Sequence, residues 1–170
     1  MEFHHIEPLC TACVCGDGKT KSIALRTIER FVATGLLSSK TNMKNEKDLN
    51  MLITSVCAAS SKDEVGIQSI KTINTLSLSN ILVVKGPMMM KLLESCVRLA
   101  GKIKQDIGKV SSEQIVCVML QRAQRDSENI PHVMLMIETL SSLVRDNSGL
   151  SLRLLRVVRG VLRSISLKYF

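Results

Sequence analysis

Apolar residues recur along this chain at helical spacing. Leu25, Ile28 and Phe31 form a ladder spaced i, i+3, i+6, and Ile67, Ile70 and Ile73 repeat it 42 positions later. Each ladder lies as a stripe on one helical face. A helix-pair unit that recurs about every 40 residues is the mark of stacked repeats of the HEAT or armadillo kind. The pattern predicts eight helices. The first runs from about His4 to Cys15 and stops at Gly16-Asp17-Gly18, a strong turn signal. The second runs from about Lys19 to Thr34 with Gly35 as its C-terminal cap, the third from Glu46 to Ala59, and the fourth from an Asp63 cap to Ser79. Ile81-Leu82-Val83-Val84 reads as a buried connector rather than a strand, because an isolated strand has no partner to pair with.

Pro87 sits in the first turn of the fifth helix, which ends near Gly101, and a basic loop follows through Lys109. Ser111 or Ser112 is the expected cap of the sixth helix, which reaches Asp126. Pro131 opens the seventh, ending near Arg145, and the eighth spans about Leu150 to Lys168. These group into four hairpins with short connections. The expectation is an all-α, HEAT/armadillo-like stack of about four antiparallel helix pairs, forming one domain over residues 1–170.

Composition agrees. The chain of 170 residues is 45% hydrophobic but only 2% aromatic, so its core must be built from Leu, Ile, Val, Met, Ala and Cys, which pack well between helices. Six cysteines, no basic-then-apolar leader at Met1–Ile6 and no long uninterrupted apolar run lead to the expectation of a reducing compartment and no membrane span. The net charge of +8 is uneven: residues 143–170 carry six basic residues against the single acid Asp146.

Four features invite a chemical reading. His4, His5, Cys10, Cys13 and Cys15 crowd the N-terminus, but zinc at finger spacing needs a second cluster. Packing of Cys10 and Cys13 as small apolar residues is the plainer account, and no metal or cofactor is expected. Met88-Met89-Met90 could form an adaptable groove, or Met89 could face the core beside Leu92, Leu93 and Cys96 with Met88 or Met90 partly exposed. In the last helix Arg153, Arg156, Arg159 and Arg163 lie along one face beside an apolar stripe of Leu152, Leu155, Val158, Leu162 and Ile165. They could engage phosphates, lipid headgroups or an acidic partner, or be a solvated face. Leu9, Cys10, Cys13 and Val14 are the candidate apolar interface, because the end of a stacked array must be capped or paired. Gly16-Asp17-Gly18-Lys19-Thr20 lacks the first glycine and preceding strand of a P-loop, and His132 has no nucleophile beside it in sequence. A binding protein rather than an enzyme is expected.

A resemblance sharpens this. Ile6–Cys15, then Ile23-Ala24-Leu25-Arg26-Thr27-Ile28-Glu29-Arg30-Phe31-Val32, then Leu49-Asn50-Met51-Leu52-Ile53 and the helix from Val65 to Ile73, follow one another in a familiar order. Val83-Val84, the helix Met89-Met90-Lys91-Leu92-Leu93-Glu94-Ser95-Cys96 and the segment Ser111–Arg122 continue it. Over residues 6–126 the chain resembles the dimerisation and cyclophilin-binding (DCB) domain of large Golgi guanine-nucleotide exchange factors for Arf GTPases and their non-catalytic relatives. It departs from them at Lys102–Lys109, where the family carries an Asn-rich stretch. The resemblance implies a regulatory and assembly segment without the exchange-active domain. It also implies self-association as a homodimer, contacts with small Arf-family GTPases, and a cytoplasmic protein recruited to Golgi or endosomal membranes. The alternatives are a generic helical-repeat scaffold, or a nucleic-acid-binding repeat that uses the basic last helix.

Overall fold

The computed structural model describes residues 6–38, 46–59, 64–84, 86–103, 106–125 and 130–145, together with Arg156, Arg159, Gly160 and Arg163. Among the described residues there are seven long helices and no strand: α1 (Ile6–Cys15), α2 (Gly18–Ala33), α3 (Glu46–Ala58), α4 (Glu64–Leu78), α5 (Gly86–Lys102), α6 (Ile107–Arg125) and α7 (Ile130–Arg145). The all-α class expected from the apolar spacing is the class observed. Arg156, Arg159, Gly160 and Arg163 are also helical. The remainder of the expected eighth helix lies outside the described residues, as do His4, His5 and the expected Asp63 cap.

The helices form two rows. α1, α3, α5 and α7 pack side by side in one, and α2, α4 and α6 in the other, with α1 on α2 and α5 on α6 across the layers. One apolar core runs through both rows from Ile6 to Leu140. Burial follows position in the row. α2, at an end, buries only Ala24, Leu25, Ile28 and Val32. α4, between α2 and α6, also buries Gln68, Ser69, Thr72 and Ser77. Both ladders belong to the same core: Leu25, Ile28, Ile70 and Ile73 are completely buried, and Phe31 and Ile67 are partly buried against it.

Local chemistry fixes the ends. Asp17 caps α2 by accepting the Thr20 N–H at 2.7 Å, which holds its carboxyl below the ordinary aspartate pKa. At the other end Gly35 takes φ 75°, a conformation that a side chain disfavours. This lets Gly35 N–H donate to Val32 O and Leu37 N–H to Phe31 O, satisfying the last carbonyls. The segment after α4 is the expected connector. Leu82 and Val84 are buried while Ile81 and Val83 are exposed, and Ser79 Oγ accepts from the N–H groups of Ile81 and Leu82. Arg122 of α6 clamps it from the side, donating to Val84 O, Ser77 O and Ser79 O. Burial pulls the Arg122 pKa below its ordinary value.

Two sequence expectations are corrected. α6 begins at Ile107, a turn before the expected serine cap, and Ser111 and Ser112 are buried within it. Ser112 Oγ donates to Gly108 O at 2.7 Å inside its own helix and reaches Cys96 Sγ at 3.4 Å. In the methionine run, Met88 and Met90 are buried along with Met89, because α5 is packed by α3, α4, α6 and α7.

The buried hydroxyls differ in their bonding, which gives a test. Ser69 is fully buried and its Oγ has no hydrogen-bond partner among the described residues. Ser69→Ala is expected to leave stability unchanged or raise it by about 0.5–1 kcal/mol, whereas Ser112→Ala is expected to lower it by about 1 kcal/mol. Urea denaturation of the two variants checks the difference. A loss of stability for Ser69→Ala larger than that for Ser112→Ala would contradict it.

Candidate interaction surfaces

The first candidate surface is α1. Its helical register places Ile6, Cys10 and Cys13 on the face toward α2 and α3, where all three are buried. Leu9 is partly buried against the same core, and Val14, 47% exposed, points away. Of the four residues expected to form an apolar interface, Cys10 and Cys13 are therefore committed to the interior of the chain, and Val14 alone is well exposed. Burial pushes the Cys10 thiol up, with Ser55 partly opposing, and pushes Cys13 up to about 11. Cys96 is likewise raised to about 11 by burial. These groups are thiols, not thiolates, at neutral pH, so they act as small apolar core residues. No group of three or more His, Cys, Asp or Glu side chains among the described residues is placed to hold a metal ion.

Polar side chains tie helices of the same row to one another, and the sequence reading missed them. Arg26 Nε of α2 donates to Gln68 Oε1 of α4, and Gln68 Nε2 donates to Glu29 Oε2. Lys91 Nζ of α5 donates to Asn50 Oδ1 of α3. Asn74 Nδ2 of α4 donates to Gln114 Oε1 of α6. The ties Arg26–Gln68, Glu29–Gln68, Asn50–Lys91 and Asn74–Gln114 span 42, 39, 41 and 40 residues. They mark the repeat length that the apolar ladders announce. The signal was present in the sequence only as polar residues one unit apart, a pattern too common to single out.

Exposed apolar side chains outline further surfaces. Ile23 is 57% exposed on α2, in a groove shared with Gly18, Lys19, Ser22, Arg26, Glu64 and Val65. Leu36, Ile81 and Val83 are exposed in the connectors that follow α2 and α4, and Gly35 lies against Ile81. Met134 and Leu135 are exposed on α7. Of the arginine stripe, Arg156, Arg159 and Arg163 are helical and exposed, while Arg153 lies outside the described residues. No helix among the described residues is long and apolar enough to cross a membrane.

No curated protein and no solved structure matches the chain. Residues 2–127 match the family model for the DCB, a Mon2/Sec7/BIG1-like dimerisation and cyclophilin-binding domain. The match covers α1 through α6, the region over which the order of helices, the two ladders and the connector were read. On that match the chain belongs to the Mon2/Sec7/BIG1-like DCB domain family.

Proposed function

We propose that the chain is a regulatory and assembly module that works by binding, not catalysis. It self-associates and docks protein partners as part of a large Arf exchange factor or a non-catalytic relative, serving vesicle traffic at Golgi or endosomal membranes from the cytoplasmic side. The family match over residues 2–127 carries this reading. Two structural features support it. The stack offers exposed apolar residues, and among the described residues no helix of the same row packs beyond α1. Terminal helices of such arrays are where capping or pairing takes place. Small GTPases of the Arf family are the proposed partners.

Sedimentation velocity across a concentration series tests self-association. A dimer with Kd about 1 µM corresponds to about −8 kcal/mol, and its weight-average mass rises from the 18.8 kDa monomer toward twice that value. Val14→Glu, which places a charge on the outward side of α1 without touching the core, is expected to shift the midpoint to at least tenfold higher concentration, about 1.4 kcal/mol. A mass that stays monomeric throughout would refute self-association. Retention of a nucleotide-loaded Arf-family GTPase on the immobilised chain tests the proposed partner separately.

A further inference from the structure

Beyond the family match lies a feature of a different kind. Arg156, Arg159 and Arg163 are exposed and helical. Their sequence spacing of 3 and 4 corresponds, on an ideal helix, to an arc of about 60° and about 10 Å of rise. Neighbours along this row are about 4.5 and 6 Å apart in rise, less than the roughly 8 Å screening length at physiological salt, so the three charges act together. No acidic residue occurs in the sequence after Asp146. In sequence the arginines are interspersed with Leu155, Val158 and Leu162, and no aromatic residue precedes Tyr169 in this segment.

We infer that this arginine row is a docking site for the anionic headgroups of a lipid leaflet. Charge complementarity selects the class of partner. Guanidinium groups pair with phosphate and carboxylate, and a basic row in an apolar-rich sequence segment has the composition of helices that lie at an anionic membrane surface. A nucleic-acid strand would use the same charges but gains from aromatic stacking, which this segment does not supply. Because residues 156–163 lie outside the family match, the inference does not rest on the proposed self-association or on the GTPase partners.

Flotation of the full chain with phosphatidylcholine vesicles, with and without about 30% phosphatidylserine, tests it at low and high salt. Each basic residue near an anionic leaflet contributes about a fivefold gain in binding, so three give roughly 100-fold preference for the anionic vesicles, declining steeply as salt rises. The variant R156Q/R159Q/R163Q is expected to lose that preference. The variant R156K/R159K/R163K, which keeps the charge, is expected to retain most of it. Circular dichroism confirms that both remain helical. The inference is overturned by equal binding to neutral and anionic vesicles, by a neutralised variant that floats like the parent, by a lysine variant that fails along with it, or by displacement by inorganic phosphate at constant ionic strength, which would mark a site for free phosphate. Binding of a single-stranded RNA that excludes vesicle binding would overturn it in favour of a nucleic-acid face.

Discussion

Replacing Leu25 with alanine is expected to destabilise the chain by about 3–5 kcal/mol, at the upper end of large-to-small core substitutions. Leu25 is completely buried in the centre of α2, facing α4. Thr72 Oγ1 donates to Leu25 O from that helix at 3.3 Å, so the backbone here is tied across the interface and cannot readily move to fill a void. Fully buried Ile70 and Ile73 lie on the facing helix and are likewise packed on several sides. Because a domain of this size has only about 5–15 kcal/mol in total, the variant would lose a large share of its stability. Chemical denaturation monitored by circular dichroism measures it. The same truncation at the exposed Ile23, one face away on the same helix, should change stability by about 0.5 kcal/mol or less. If the two variants unfold alike, α2 does not pack as described.

The second large effect concerns a close approach. α5 and α6 run antiparallel, with Ala100 opposite Gly108 and Cys96 opposite Ser112. A Cβ built on Gly108 would lie 2.5 Å from Ala100 Cβ and 2.7 Å from Ala100 Cα. The obstacle includes backbone, so neither helix can yield by rotating a side chain. Gly108→Ala is therefore expected to lower stability by about 2–3 kcal/mol despite the better helix propensity of alanine. Ala100→Gly alone should lower it by about 1 kcal/mol through propensity. Combined, the two should restore part of the loss, with a coupling of about 1 kcal/mol or more in a double-mutant cycle. Strict additivity would show that the helices do not meet at this pair.

Much of the architecture was readable because stacked helices must present apolar stripes at period 3.6 and must end somewhere. The Leu25 and Ile67 ladders, the Asp17 turn, Gly35 and the connector at Ile81 all follow from such local rules. The start of α6 did not. Ser111-Ser112-Glu113-Gln114 carries a capping signature, but the contact of Gly108 with Ala100 continues the helix past it. That contact is set by α5, which no local window contains. Met89 faces the core as its spacing predicts, but the burial of Met88 and Met90 beside it is not legible, for a related reason. How much of α5 is covered depends on how many helices surround it, not on its own sequence. In α1 the apolar composition was visible, but Ile6, Cys10 and Cys13 share a face that Val14 leaves, and composition alone does not rank them. The candidate surfaces were the least legible part, since exposure of Ile23, Leu36 or Met134 is a property of the packed neighbours.

The polar ties one repeat apart carry a mechanical consequence. Each joins like helices of successive units through at least one exposed partner (Arg26, Asn50, Lys91 or Gln114) that water can solvate instead, although Gln68 itself is buried. Such a bond contributes little net free energy and exchanges readily, while the apolar contacts beneath it hold the spacing. A stack tied in this way can bend by trading polar contacts unit by unit. Small changes of pitch at each joint then accumulate along the row, and the curvature that a partner meets can adapt without any helix unfolding.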